Sequence, residues 1–182
     1  MTHSDDDLVV LLDEYERPVG TAQRMAVHGP ATPRHLAFSA YLFDDHGRVL
    51  LTRRALTKVT WPGVWTNSCC GHPRPGEPAT EAVARRVAQE LGATVAGLEL
   101  VLPDFGYRAT DASGVVENEH CPVWVGRLQG ALRPDPEEVA ETTWVEWDDL
   151  AGIVAAAPDL LSPWCVAQVP LLAAALGKAG AA

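Results

Sequence analysis

Two short stretches hold side chains that could exchange protons or bind a metal ion. Residues 67–77 read NSCCGHPRPGE, so two adjacent cysteines, Cys69 and Cys70, precede His72. Residues 114–123 read GVVENEHCPV and carry two glutamates with one residue between them. A thiol and a pair of carboxylates are candidates for general acid/base chemistry, nucleophilic attack or metal binding.

The paired cysteines have four conceivable roles: a disulfide, a zinc site, a nucleophile or a proton-transfer group. Neighbouring Cα atoms lie about 3.8 Å apart, closer than an ordinary disulfide prefers, which argues against a Cys69–Cys70 bridge. A zinc ribbon needs a second closely spaced pair, and the other two cysteines, Cys121 and Cys165, are isolated. The nucleophile and the proton-transfer group stay open, beside burial as a small hydrophobic residue, the commonest fate of a free cysteine.

The two glutamates are Glu117 and Glu119. Side chains alternate along a strand, so these carboxylates would share one face and send Asn118 and His120 to the other. Two carboxylates on one face attract a cation, which predicts a metal site on this strand.

The surrounding segments predict the elements that must position these groups. Residues 35–43, HLAFSAYLF, are predicted as a strand, residues 44–47 as a turn and residues 48–54 as a second strand, which together form a hairpin. Further strands are predicted within residues 98–110, 117–130 and 143–147, and a terminal helix from about residue 163 to 176.

Residues 77–92 predict the central helix of the chain. Val83, Val87 and Leu91 lie four apart on one helical face, with a proline near the start and a glycine just past the end. Strands interrupted by one strong helix and closed by another predict a mixed α/β layer fold.

Length and composition limit the architecture and the partners. With 182 residues and 47% hydrophobic content, the chain predicts a single domain, 1–182, with short ends at about 1–7 and 177–182 that could be flexible. The net charge of −10 argues against a protein that binds nucleic acid through a broad basic surface. Acidic residues near the N-terminus and the lack of a long apolar run predict a cytosolic protein that neither carries a signal peptide nor spans a membrane.

The central helix lies in a more specific motif. From Gly71 the spacing is five residues to Glu77, then seven residues to Arg85, ending at Gly92. This resembles the Nudix box, in which helical carboxylates hold divalent metal ions against a diphosphate. Arg86 and Gln89 stand where the box has glutamates, and Glu90 is retained, which suits diphosphate binding better than metal-assisted hydrolysis. An ordinary solvated charged face is the alternative for this helix.

Four segments in this order resemble the type 1 isopentenyl-diphosphate isomerases: residues 51–73, LTRRALTKVTWPGVWTNSCCGHP; 107–111, YRATD; 114–123; and 162–164, SPW. The likeness runs from about Leu8 to Val169. It implies a Nudix-type fold with mixed β-sheet layers between helices. It also implies an isomerase of isoprenoid precursor biosynthesis that interconverts isopentenyl and dimethylallyl diphosphate by moving a double bond. A Nudix hydrolase of organic diphosphates and a metal-stabilised binding module are the rival interpretations.

The resemblance implies a role for each site residue. Cys70 and Glu119 would be the acid/base pair, because Cys70 precedes the Gly-His-Pro of the motif and Cys69 occupies a variable position. Trp164 would face a carbocation with its aromatic ring, and Tyr107 would line the same pocket. Three imidazoles and two carboxylates would bind Mn²⁺, Zn²⁺ or Mg²⁺: His28, His35, His72, Glu117 and Glu119.

The resemblance implies that the diphosphate binds together with Mg²⁺ and that Glu90 contacts this ion. Its basic partners by resemblance are Arg24, Arg54, Lys58 and Arg86, and Arg24 stands where relatives often have lysine. The other tryptophans, Trp61 among them, are predicted to pack in the core. The predicted partner is a small molecule bound by a monomer.

Overall fold

The computed structural model describes residues 8–179. The strands are β1 (Leu8–Leu12), β2 (Pro18–Gln23), β3 (His35–Leu36), β4 (Phe38–Phe43), β5 (Val49–Arg54), β6 (Trp65–Thr66), β7 (Cys69–Gly71), β8 (Thr94–Leu102), β9 (Gly106–Thr110), β10 (Val116–His120), β11 (Val123–Gln129) and β12 (Val139–Val145). The helices are α1 (Arg24–Val27), α2 (Ala79–Leu91), α3 (Trp147–Ala156) and α4 (Pro163–Ala179). Predictions for residues 1–7 and 180–182 lie outside the described residues.

The strands form two sheets that share a seam. One sheet has the order β2-β1-β3-β10-β9, and the other has the order β12-β5-β4-β11-β8 with β6 and β7 attached at its side. β3 pairs with β10 in the first sheet, and their continuations β4 and β11 pair in the second, both in parallel. Ala37 N donates a hydrogen bond to His120 O at 2.8 Å, and Ser39 N donates one to Pro122 O at 3.1 Å. The two neighbouring segments therefore stay paired where each passes from one sheet to the other.

Helix α2 covers one face of the larger sheet. Val83, Val87 and Leu91, the predicted apolar stripe, are fully buried against strands β4 and β5. Burying one such side chain contributes about 1.5–3 kcal/mol, so the stripe decides which face of α2 turns inward. Gly92 ends the helix with φ of 60°, and a Cβ there would lie 2.7 Å from Arg133 O. Only glycine suits both conditions.

Helices α3 and α4 cover the opposite face of the same sheet. Tyr41 and Leu51 alternate with the residues that meet α2, and they pack against Leu150, Cys165 and other buried residues of α3 and α4. The predicted architecture, mixed sheet layers between helices in one domain, is confirmed. Among the residues that the structure describes, no helix is long and apolar enough to cross a membrane.

The structure corrects several predicted elements. The strand predicted over residues 35–43 is divided at Ala37, because its two parts belong to different sheets. The predicted strand over 143–147 starts earlier, at Val139, and Trp147 instead begins α3, where Asp148 and Asp149 favour a helix start. The terminal helix runs to residue 179 rather than 176. The hairpin of β1 and β2, the helix α3 and the short elements β6, β7 and α1 were not predicted.

Candidate active site

A single cavity of about 750 Å³ contains nearly all the predicted site residues. Every one of them except His35 lines it, and His35 lies fully buried directly behind. The cavity opens where the two sheets meet, between strands β9 and β10 of one sheet and β5 and β7 of the other. Residues that are more than a hundred positions apart in the sequence therefore face one space.

Three histidines and one glutamate form a compact group in this cavity. One ligand atom from each of His28, His35, His72 and Glu119 lies within 4.8 Å of the others. The ring centroids of the three imidazoles are 5.1 to 5.6 Å apart. Glu119 Oε1 lies 3.2 Å from His72 Nε2 and 3.5 Å from His35 Nε2. Register explains part of this closeness, since Glu119 pairs directly with His35 between β10 and β3.

The chemistry of this group fits a divalent cation. His35 places its Nδ1 2.9 Å from Pro33 O, which fixes the ring so that Nε2 faces the group. His28 Nε2 and His35 Nε2 are buried without a hydrogen-bond partner among the described residues. Burial, with His72 and His35 close by, lowers the pKa of His28 to about 4, which keeps this imidazole neutral. Neutral imidazoles with inward-facing nitrogen atoms are the form that binds a metal ion.

Glu117, predicted as the fifth ligand, lies outside this four-residue group. Its carboxylate accepts hydrogen bonds from the hydroxyls of Thr60 and Tyr107. Burial, together with the neighbouring charge of Glu119, raises its pKa. Its role as a ligand stays a prediction.

The two cysteines of the pair have different surroundings. Cys69 is 1% exposed and packs with Phe38 and Val83 in the core beneath α2. Cys70 lines the cavity, with its Sγ 3.2 Å from Asn67 Oδ1 and 3.6 Å from Ser39 Oγ. Burial raises the pKa of the Cys70 thiol to about 12, which keeps it protonated. The structure shows Cys69, Cys70, Cys121 and Cys165 as free thiols.

Aromatic rings form the wall beside Cys70. Trp164 is 2% exposed, and its ring centroid lies 5.6 Å from that of Tyr107. Trp61, predicted to pack, meets Trp164 edge to face at 5.4 Å and is not among the residues that line the cavity. Arg54 Cζ lies 5.4 Å from the centre of the Trp164 ring, a cation–π contact. The face of this indole is thus able to contact a cation in this protein.

The basic side chains meet carboxylates at the other end of the cavity. Arg86 forms an ion pair with Glu90 one turn along α2, and it lies 3.3 Å from Glu138. Glu138 also forms an ion pair with Lys58. The side chains of Arg86 and Glu90 are only 14% and 9% exposed, so they are not an ordinary solvated face of the helix.

The remaining box residues brace the loop that carries His72. Glu77 accepts hydrogen bonds from Arg85 Nε at 2.7 Å and Nη2 at 2.8 Å, and Arg85 Nη2 also donates to His72 O at 3.1 Å. A Cβ on Gly71 would lie 2.8 Å from Arg86 Cγ, so glycine lets β7 approach α2. The box keeps its structural role here, while Arg86 and Gln89 replace two of its glutamates.

Sequence reasoning missed several residues of the site. Glu138 lies in a loop 48 residues after Glu90 and matches no spacing pattern. Asn67 stands beside the cysteine pair but was not predicted to have a role. The position of Asn67 within the family segment of residues 51–73 was the one available signal.

Solved structures define the class of the fold. A crystal structure from Deinococcus radiodurans matches with a TM-score of 0.67 at 19% identity, covering 90% of this chain and 97% of that one. A MutT NUDIX hydrolase from Burkholderia pseudomallei matches with a TM-score of 0.59 at 23% identity, covering 76% and 97%. The NUDIX domain profile matches residues 33–165. At 19% and 23% sequence identity, the likeness to these solved structures shows the fold alone.

Relatives in sequence are more specific. The isopentenyl-diphosphate Delta-isomerase of Frankia alni is 62% identical over 164 residues, covering 90% of this chain and 84% of the relative. The isomerase of the same name from Mycolicibacterium vanbaalenii is 57% identical over 169 residues, covering 93% of each chain. This chain belongs to the NUDIX family and, within it, to the isopentenyl-diphosphate Delta-isomerases.

Proposed function

We propose that this protein interconverts isopentenyl diphosphate and dimethylallyl diphosphate in isoprenoid precursor biosynthesis. The observation that carries the proposal is the shared cavity, in which a thiol, a carboxylate and an indole face the same space. Relatives with 51–62% identity carry the corresponding name. We further propose that the enzyme acts as a monomer, since one chain supplies every residue of this cavity. A cytosolic location stays a prediction.

Cys70 and Glu119 are the proposed acid/base pair. Moving the double bond requires one group that donates a proton to the alkene and one that removes a proton from the allylic carbon. Burial keeps the Cys70 thiol protonated, with a pKa of about 12. Burial opposes ionisation of Glu119, but its close contacts with the imidazoles of His35 and His72 outweigh it and hold the pKa of this carboxyl below its usual value. The cavity thus holds one proton donor and one proton acceptor.

Trp164 and Tyr107 are proposed to protect and stabilise the intermediate. Protonating the methylene carbon of the alkene leaves positive charge on a tertiary carbon, which water would capture. An indole face attracts a nearby cation through its quadrupole, and a buried aromatic wall excludes water. Trp164 already has the Arg54 guanidinium beside its ring, at 5.4 Å.

The four-residue group of His28, His35, His72 and Glu119, with Glu117 adjacent, is proposed to hold Mn²⁺, Zn²⁺ or Mg²⁺. A cation bound there would orient the Glu119 carboxylate and tune its proton affinity. The two buried, unpartnered imidazole nitrogens support this proposal.

The diphosphate is proposed to bind at the basic end of the cavity. Arg24, Arg54, Lys58 and Arg86 all line it and supply local positive charge to an acidic protein. Glu90 is proposed to contact the Mg²⁺ that accompanies the substrate, because it is the one retained glutamate of the box's metal-binding cluster. Glu77, the other retained glutamate of the box, accepts two hydrogen bonds from Arg85.

Isotope labelling separates an isomerase from a hydrolase on this fold. The enzyme is incubated in D₂O with isopentenyl diphosphate, Mg²⁺ and trace Mn²⁺ or Zn²⁺. Exchangeable protons on Cys70 and Glu119 become deuterons, so the dimethylallyl product should carry deuterium in the methyl group formed from the methylene carbon. Mass spectrometry and NMR locate the label, and a phosphate assay follows hydrolysis.

Trp164 variants give this experiment its internal control. Trp164→Leu should slow labelling strongly and Trp164→Phe should keep part of it, because a benzene ring retains some of the quadrupole that leucine lacks. Release of phosphate or pyrophosphate from an unlabelled carbon skeleton would overturn the isomerase proposal and favour hydrolysis.

A further inference from the structure

Asn67 is a buried amide that the proposed chemistry has not used. It is 0% exposed and lies in the bend between β6 and β7. Its Nδ2 donates hydrogen bonds to Ala40 O at 3.0 Å and to Cys69 O at 2.9 Å. Both partners are backbone carbonyls, which can only accept, so the NH₂ group must face them. The orientation of the amide is therefore fixed, with Oδ1 on the opposite side.

That oxygen lies between two proposed reaction groups. Trp164 Nε1 donates to Asn67 Oδ1 at 2.9 Å, and Cys70 Sγ lies 3.2 Å from the same atom. The indole N–H is a donor only and is buried, so it needs an acceptor. One oxygen atom therefore sets the distance between the thiol and the indole.

The same oxygen is tied to the start of helix α4. Thr66 Oγ1 donates to it at 2.8 Å and lies 2.7 Å from Ser162 Oγ. Ser162 Oγ accepts a hydrogen bond from Cys165 N at 3.3 Å in the first turn of α4, the helix that carries Trp164. Asn67 thus joins the strand of the thiol to the helix of the indole.

We infer that Asn67 is a positioning residue for isomerisation, which holds the Cys70 thiol and the Trp164 indole in one fixed relative geometry. The inference rests on the proposed function. A carbocation formed beside the thiol is short-lived, so the indole ring must already lie next to it when it forms. A displacement of about 1 Å at either group can cost roughly 10² in rate.

A double-mutant cycle tests this link. Asn67→Ala should lower kcat for isopentenyl diphosphate by about 10²-fold, with KM changed less than about threefold, because the diphosphate binds at the other end of the cavity. Phenylalanine has no N–H, so Trp164→Phe removes the indole's bond to Asn67 and keeps an aromatic face. In that background Asn67→Ala should cost about tenfold less than it costs alone.

Ser68→Ala is the matched control. Ser68 is the next residue, equally buried, and its Oγ bonds to Leu50 O at 2.6 Å and Leu42 N at 2.7 Å, away from the thiol and the indole. It should lower the unfolding temperature as Asn67→Ala does and leave kcat within about threefold. An equal loss of kcat in Ser68→Ala, or an equal cost of Asn67→Ala in both backgrounds, would overturn the inference.

Two further measurements keep the test decisive. Should Asn67→Ala not fold, Asn67→Ser, which keeps a smaller polar group, takes its place in the cycle. In the unaltered protein, the Trp164 indole proton should exchange with D₂O at least about 10²-fold more slowly than that of free tryptophan, and fast exchange would overturn the inference. If the unaltered protein lacks isomerase activity, the proposed function fails instead.

Discussion

The two ends of the cavity are built by opposite means. At the hydrocarbon end, Cys70 and Trp164 are held by hydrogen bonds to neutral groups, above all Asn67. At the diphosphate end, Lys58 and Arg86 are held by ion pairs with the carboxylates of Glu90 and Glu138. Neutral hydrogen bonds fix the thiol and the indole, with the Arg54 guanidinium also contacting the indole ring, whereas carboxylates hold the basic side chains at the other end.

This difference follows from what each end is proposed to contact. A hydrocarbon brings no charge, so groups that act on it must be placed in advance by the protein. A diphosphate with its metal ion carries charges of both signs, so its oxygens can replace the carboxylates as partners of the basic side chains. Substitutions at the hydrocarbon end should therefore change turnover, whereas those at the diphosphate end should change substrate and metal dependence.

The largest expected effect separates the two cysteines. Cys70→Ala removes a proposed proton-transfer group and should lower turnover by at least about 10²–10⁴-fold, the usual range for general acid/base catalysis. Cys69→Ala removes a thiol that packs beneath α2 and should keep most activity at a modest cost in stability. Steady-state kinetics and thermal unfolding of both variants provide the comparison. Equal losses in two folded variants would show that the cysteines do not have separate roles.

The next effect concerns metal ions. His28→Ala and His72→Ala should lose a tightly held ion, and activity should fall by more than about 10-fold to 100-fold, the range found when only the partners of metal ligands are changed. Glu90→Gln should keep that ion and instead change the dependence on added Mg²⁺ and on substrate. Metal analysis after dialysis, combined with Mg²⁺ titration of activity, distinguishes these variants. Full activity in thoroughly metal-free protein would rule out both metal roles.

The smallest effect is expected at Glu138. Because its carboxylate pairs with Lys58 and Arg86, the substrate diphosphate must compete with it. Glu138→Gln should strengthen binding of inorganic diphosphate by about threefold to tenfold, since a partly buried ion pair contributes only modestly. Titration calorimetry measures the change.

Glu141→Gln is the control for that measurement. Glu141 pairs with Arg53 at 2.5 Å on strand β12, and neither residue lines the cavity. Its substitution should leave diphosphate binding unchanged. Weaker binding in Glu138→Gln would show that this carboxylate helps to retain the metal ion rather than competing with the substrate.

Local sequence patterns predicted the long elements better than the short ones. Helix α2 was identified because its apolar period and its terminal glycine agree. Strands β6 and β7 have two and three residues, too few for any period to appear. The division between β3 and β4 also left no local signal, because a strand that passes from one sheet to another stays apolar on both sides of the break.

The sequence by itself predicted the reaction through the resemblance of its ordered segments to one family, because these segments can be compared without any three-dimensional structure. It also predicted that Cys70 rather than Cys69 takes part in the reaction, because Cys70 alone occupies the matching position of the motif. Tertiary structure decided the partners of those groups: Glu138 beside Lys58 and Arg86, and Asn67 between the thiol and the indole. Hydrogen bonds and ion pairs act over a few ångströms, and the pairing of the strands and helices, rather than distance along the chain, brings these atoms that close.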